Sequence, residues 1–168
     1  MRLPCPCVII DGMEINVLFD EGFEASIDAD WLRRVAVTAL TSEHQTDAEM
    51  GILITGQERI RELHKEYMGE DEPTDVLSFA LREKGPEDAP AFVFPAGDAA
   101  HLGEVIISYP QAEIQAEEHA HSAKKEVAIL LIHGVLHLLG YDHDEAERRR
   151  EMQAREKSIL KLIAEELN

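Results

Sequence analysis

Three histidines near the end of the chain have the spacing to share one metal ion. They are His133, His137 and His143, within HGVLHLLGYDH at residues 133–143. Residues four apart on a helix stack on one face, one turn above the other. His133 and His137 can therefore grip a zinc ion from the same side. Gly140 supplies the positive φ at which helices commonly end, and the chain can turn back there to bring in His143 as a third ligand. The pattern His-x-x-x-His-x-x-Gly-x-x-His is the spacing of metzincin proteases. One histidine on a buried helix is usually a hydrogen-bonded core residue. Three imidazoles in so apolar a segment are costly to satisfy without a shared ion.

Three protein ligands leave a fourth position open, the mark of a catalytic site. Water held there has its pKa lowered to about 7 and becomes a nucleophile at neutral pH. Metalloproteases place Glu directly after the first histidine as general base, but this chain has Gly134, so peptide hydrolysis by that route is disfavoured. Three neutral ligands also leave the ion its full double charge, a positive centre to which a phosphodiester can bind. Glu126 lies two helical turns before His133 on roughly the same face and is a candidate either to orient a ligand histidine or to cap a core polar contact. Asp142, beside His143, is another, whereas Asp144 is at least as well suited to cap a helix. No general acid or base can be assigned. His44, His64, His101, His119 and His121 show no ligand spacing, and His119 and His121, alternating in a polar stretch, read as surface residues.

The elements that must position these residues follow from the apolar pattern. Asp11-Gly12 reads as a hairpin turn between strands at residues 7–10 and 15–19; alternatively, residues 1–12 are an N-terminal extension. Asp28 is a candidate N-cap for a helix with Trp31, Leu32, Val35, Ala39 and Leu40 on one face. Residues 50–54 read as a buried strand. Thr55-x-x-Glu58 has capping-box form and opens a helix over residues 56–68. Strands follow at residues 75–79 and 103–108, the second closed by Pro110. Between them the Pro- and Gly-rich residues 82–100 form a surface loop, with room for a short strand at 92–94. The helix over residues 122–139 is apolar nearly all round, so it belongs at the centre of the fold. Asp144-x-x-Glu147 is a second capping-box signal before a last amphipathic helix with Met152, Ile159, Leu160, Ile163 and Leu167 inside.

With 168 residues and 45% hydrophobic content, the chain suits one domain with its own core. No apolar run approaches the roughly 20 residues needed to span a bilayer, and the first ten residues lack a signal-peptide pattern. Cys5 and Cys7 are the only cysteines, too close for a sound bridge, and read as free thiols of a reduced, cytoplasmic protein. The net charge of −18 repels nucleic acid in bulk, so a phosphate-bearing substrate needs a local positive centre. Lys124-Lys125 and Arg148-Arg149-Arg150 flank the histidines, but read first as solvated helix faces.

The segment HGVLHLLGYDH resembles the signature of the YbeY family of ribosomal-RNA maturation endoribonucleases. PTDVLSF at residues 73–79 is similar to that family's second motif, and LGEVIIS at residues 102–108 to its third. The resemblance runs from about Met13 to near the C-terminus, in the family's order. It implies an α+β, zincin-like fold with a mixed four- to five-stranded sheet and a central buried helix carrying two ligand histidines. It implies one Zn2+ on His133, His137 and His143, and metal-dependent, single-strand-specific endonucleolytic cleavage of RNA in 16S rRNA 3′-end maturation and ribosome quality control. Implied partners are rRNA and the ribosomal small subunit, with a small-subunit ribosomal protein and the GTPase Era by analogy. The chain departs from the family's usual pattern at Met68, where Arg is usual, at His64 in place of Asn, and at Ala80 in place of Pro. Arg59, Arg61 or Arg82 is a candidate to replace the missing cation. The competing readings are a metallopeptidase-like or small-ester hydrolase, weakened by Gly134, and a non-catalytic ribosome-assembly factor with structural zinc.

Overall fold

The structure, a computed structural model, describes residues 8–10, 12–80, 100–142 and 144–167. Cys5, Cys7, the proposed strand at residues 92–94, Arg82 and His143 lie outside the described residues.

Among the described residues, five strands form one mixed sheet in the order β1-β2-β3-β5-β4. Strands β1 (Val8–Ile10) and β2 (Met13–Phe19) pair antiparallel, as the hairpin signal predicts. In β2, Met13, Ile15 and Val17 point inward while Leu18 faces solvent, the period of two expected of a strand buried on one face. Strand β3 (Ala48–Thr55) runs parallel to β2, and β5 (Ala100–Ser108) parallel to β3. Strand β4 (Val76–Ala80) closes the edge antiparallel to β5. The parallel pair β2–β3 requires a crossover, supplied by α1 (Ala29–Ser42), whose N-cap Asp28 accepts from the Asp30 amide at 2.9 Å.

The β3–β5 pairing slips by one residue, leaving Leu102 opposite no partner between His101 and Gly103. Gly103 sits at a φ of +134° with its α-carbon pressed on β4, where a β-carbon would lie 1.9 Å from the Phe79 carbonyl oxygen. Only glycine fits there. The bulge lets Leu102 contribute to the wall of the functional cleft.

Helix α4 (Ala123–Leu138) lies in the middle of the main core, with Val127, Leu131, Ile132, Val135 and Leu136 fully buried. Helices α1, α3 (Tyr109–Glu118) and α5 (Ala146–Leu162) pack against it, and β4 and β5 lie beneath it. On the other side of the sheet, α2 (Gln57–Met68) buries Ile60 against Leu77 and Ile106.

Two local expectations are corrected and a third is extended. The Thr55–Glu58 capping box does not form: Gly56 is the N-cap of α2, and the Thr55 hydroxyl donates to Asp20 instead. Asp144 does not cap α5 (Ala146–Leu162), which begins after Glu145 without a side-chain cap. Pro110 does more than end a strand. It stands in the first turn of α3 (Tyr109–Glu118), where its missing N–H costs nothing, and Ser108 accepts from the Gln111 amide as N-cap.

Candidate metal centre

His133 and His137 meet on one face of α4, their Nε2 atoms 3.1 Å apart. Two nitrogens on a tetrahedral zinc lie about 3.3 Å apart, given Zn–N bonds of about 2.0–2.1 Å. The rings stand nearly edge to face, interplanar angle 76°. The Nδ1 atom of His133 lies 2.5 Å from Oε1 of Glu156 on α5. A carboxylate there holds the proton on Nδ1 and leaves the Nε2 lone pair aimed at the shared point, the usual way in which a ligand imidazole is oriented. The donor set therefore fits a divalent ion.

Sequence reasoning missed Glu156 because it is brought to His133 by the packing of α5 on α4, at no regular spacing. Of the two roles considered for Glu126, orienting a ligand histidine is corrected, and a buried polar contact is what the structure has. Its carboxylate lies at the far end of α4 and contacts His121 at 3.0 Å and His119 at 3.3 Å. The reading of those two histidines as surface residues fails for His121, whose side chain is 16% exposed.

The turn that follows α4 is a Schellman motif. The Gly140 amide donates to the His137 carbonyl and the Tyr141 amide to the Leu136 carbonyl, both at 3.0 Å, with Gly140 at a φ of +99°. Tyr141 fixes the returning chain by donating its hydroxyl to Glu43 at 2.5 Å, and Arg155 of α5 approaches the same carboxylate at 3.7 Å. The hydrogen bond to Glu43, with burial second, holds the Tyr141 phenol above its ordinary range. This three-way tie connects the C-terminal ends of α1 and α4 to the middle of α5.

The two imidazoles open into a cleft of about 850 Å3, floored by β4 and walled by Met68, Leu102 and the turn at 139–142. Asp142 lines this cleft and also a smaller neighbour of about 500 Å3. Among the described lining residues the main cleft has no Lys or Arg, and the neighbour has Arg148. Met68 is exposed at the rim. Neither described candidate to replace the family's Arg there lines the cleft: Arg61 pairs with Asp71 at 2.8 Å, and Arg59 with Glu62 at 3.8 Å. His64 lines the cleft wall, anchored by Glu70 at 3.1 Å and by the Glu72 carbonyl at 2.9 Å. Asp75 of the PTDVLSF segment accepts from the Val76 amide at 2.8 Å and from Gln115 of α3 at 3.1 Å, so it braces the start of β4.

Gly134 has a steric reason. A β-carbon on it would lie 2.6 Å from Cγ1 and 2.9 Å from Cγ2 of Val105, and 3.2 Å from the Ser78 hydroxyl. The glycine lets α4 settle directly on β4 and β5, and a glutamate at this position has no space. The protease-type general base is thus excluded by packing as well as by residue type.

Fold and site together suit a metal-dependent hydrolase, with the candidate ligands His133 and His137 on a central helix over a mixed sheet. A family model described as Endoribonuclease YbeY matches residues 20–164. A protein of that name from Dehalococcoides mccartyi strain CBDB1 is 46% identical over 162 residues, covering 94% of this chain and 98% of its own. Another from Moorella thermoacetica is 49% identical over 130 residues, 77% of this chain and 82% of its own. The solution structure of TM1509 from Thermotoga maritima superposes with a TM-score of 0.61 at 27% identity, covering 90% of each chain. The chain belongs to the YbeY family.

Proposed function

We propose that this protein is a zinc-dependent endoribonuclease that cleaves single-stranded RNA during maturation of the 3′ end of small-subunit rRNA. The observation that carries the site is the His133–His137 pair, Nε2 facing Nε2 with the Nδ1 of His133 committed to Glu156. The relatives bearing the name Endoribonuclease YbeY supply the reaction class and the RNA substrate. His133, His137 and His143 are the residues that would hold the ion, His143 by the spacing of the motif. Bound there, zinc supplies Lewis acidity toward a phosphodiester oxygen and lowers the pKa of water. Glu156 keeps the His133 ring oriented. Asp142, on the wall shared by both clefts, is a candidate to orient His143 or to hold a proton near the scissile phosphate.

The substrate must overcome a net charge of −18. Arg148, on the wall of the adjoining cleft, suits a backbone phosphate next to the one being cleaved. No helix among the described residues is long and apolar enough to cross a membrane, and rRNA maturation assigns the protein to the cytoplasm with the ribosomal small subunit. A small-subunit ribosomal protein and the GTPase Era are the partners proposed by family analogy.

The test is cleavage of a structured RNA with single-stranded segments by the purified protein, with and without chelator, beside His137→Ala. Cleavage lost in both cases, with the circular dichroism spectrum retained, is the expected result. Cleavage that survives chelation refutes the metal assignment. Loss of fold together with loss of metal supports a structural zinc, and digestion of casein supports a peptidase.

A further inference from the structure

We propose that His119, His121 and Glu126 form a second binding site for a borderline transition-metal dication, distinct from the His133 centre. Their candidate ligand atoms all lie within 4.8 Å of one another, and among the described residues they are the group of three so arranged. Glu126 is on α4 seven residues before His133, which separates the two along the helix by about 10 Å at about 1.5 Å per residue. That is far beyond the roughly 3.5–4 Å of a two-metal catalytic pair. The site would instead clip the end of α3 to the start of α4.

The hydrogen-bonding pattern points to a shared cation. Nδ1 of His121 faces the Ser122 carbonyl at 3.1 Å, so its proton belongs there. The neutral ring has no second N–H, yet Nε2 faces Oε2 of Glu126 at 3.0 Å, lone pair against lone pair. Nδ1 of His119 converges on the same oxygen at 3.3 Å. Protons alone meet these contacts only if His121 carries a proton on both ring nitrogens, as an imidazolium, while His119 donates from Nδ1. One dication at the point of convergence satisfies all three groups with both rings neutral. The Glu126 side chain is only 4% exposed, so its charge is buried and in need of compensation.

The backbone is shaped to this convergence. Ala120 adopts a φ of +56°, a left-handed conformation unusual for a residue with a side chain, and in doing so turns both flanking rings toward Glu126. His119 is the C-cap of α3, where the helix's negative end favours a cation. Two imidazoles and one carboxylate suit zinc, cobalt or nickel better than magnesium or calcium. The side chain of His119 is 59% exposed, so the ion has a path from solvent and room for water as a further ligand.

The experiment measures zinc stoichiometry by mass spectrometry and the zinc-induced rise in melting temperature, on the full chain. Wild type is expected to hold two equivalents, His133→Ala/His137→Ala one, and His119→Ala one. Adding His119→Ala to the double variant is expected to abolish the remaining equivalent and its thermal shift. Glu126→Gln in the same background serves as the second variant, since it keeps the side chain's shape. Cobalt titration into His133→Ala/His137→Ala is expected to give a visible absorption that His119→Ala removes. The inference is overturned if the His133→Ala/His137→Ala protein takes up no metal, or if its uptake survives both His119→Ala and Glu126→Gln. It stands independently of the His133 centre. Should His119→Ala remove all the zinc while His133→Ala/His137→Ala removes none, the second site holds and the first assignment fails.

Discussion

Replacing Gly134 by Ala tests whether α4 rests on the sheet as closely as described. A methyl group there would stand 2.6 Å and 2.9 Å from the two Val105 methyl carbons. Carbon atoms settle at about 3.5–4.0 Å, so helix and strand must separate by close to 1 Å or Val105 must leave its rotamer. Val105 is fully buried and has nowhere to turn. Overpacking of this kind costs about 1–3 kcal/mol, and the severity of the overlap argues for the upper end. Removing a helical glycine returns about 1 kcal/mol, which leaves a net loss of about 2 kcal/mol. For a chain of this size each kcal/mol shifts the melting temperature by about 2–4 °C, so a fall of about 4–8 °C is expected. The measurement is thermal and urea unfolding in the presence of chelator, so that metal binding does not contribute. Val105→Ala alone opens a cavity and costs about 2 kcal/mol. The double variant should be more stable than the sum of the two by about 1 kcal/mol or more, because each change makes room for the other. If Gly134→Ala is instead stabilised by the helix-propensity gain, the close contact does not exist and the steric exclusion of a protease-type glutamate goes with it.

Other outcomes follow from the same geometry. Glu156→Gln keeps the shape but removes the charge that orients His133, and should weaken zinc affinity about 10–100-fold in a chelator competition. Arg148→Ala should lower the salt dependence of RNA binding, reducing the slope of log K against log salt by about 0.7 if one single-strand phosphate contact is lost; an unchanged slope removes Arg148 from the interface. The Tyr141 phenol is raised above its unfolded value of 10.0, so its stabilising contribution is complete below that pH and is lost as pH rises through the higher folded value. Tyr141→Phe should abolish this part of the alkaline stability loss, read by unfolding at increasing pH. Ala120→Gly relieves a left-handed residue and should stabilise the fold by about 0.5–1 kcal/mol after the added flexibility of the unfolded chain is subtracted.

The amino-acid sequence by itself determined the features that depend on neighbours along the chain. The Asp11-Gly12 turn signal marked the hairpin of β1 and β2, the apolar run at residues 50–54 marked β3, and the all-round apolar pattern sent α4 to the centre. The four-residue spacing of His133 and His137 ensured that any helix there would stack them, and Gly140 marked the turn that follows. Glycine at 134 was legible as a missing base, although its cause was not. Tertiary structure decided what depends on separate elements meeting. Glu156 reaches His133 only because α5 folds back along α4, and Glu43 reaches Tyr141 only because α1 ends beside the same turn. Val105 makes Gly134 necessary from a strand nearly thirty residues earlier. Glu126 shows the limit most plainly: its helical phase pointed to His133, but the left-handed turn at Ala120 brought His119 and His121 to it first. Helical phase specifies the direction of a side chain, and the packing of other elements specifies what it meets there.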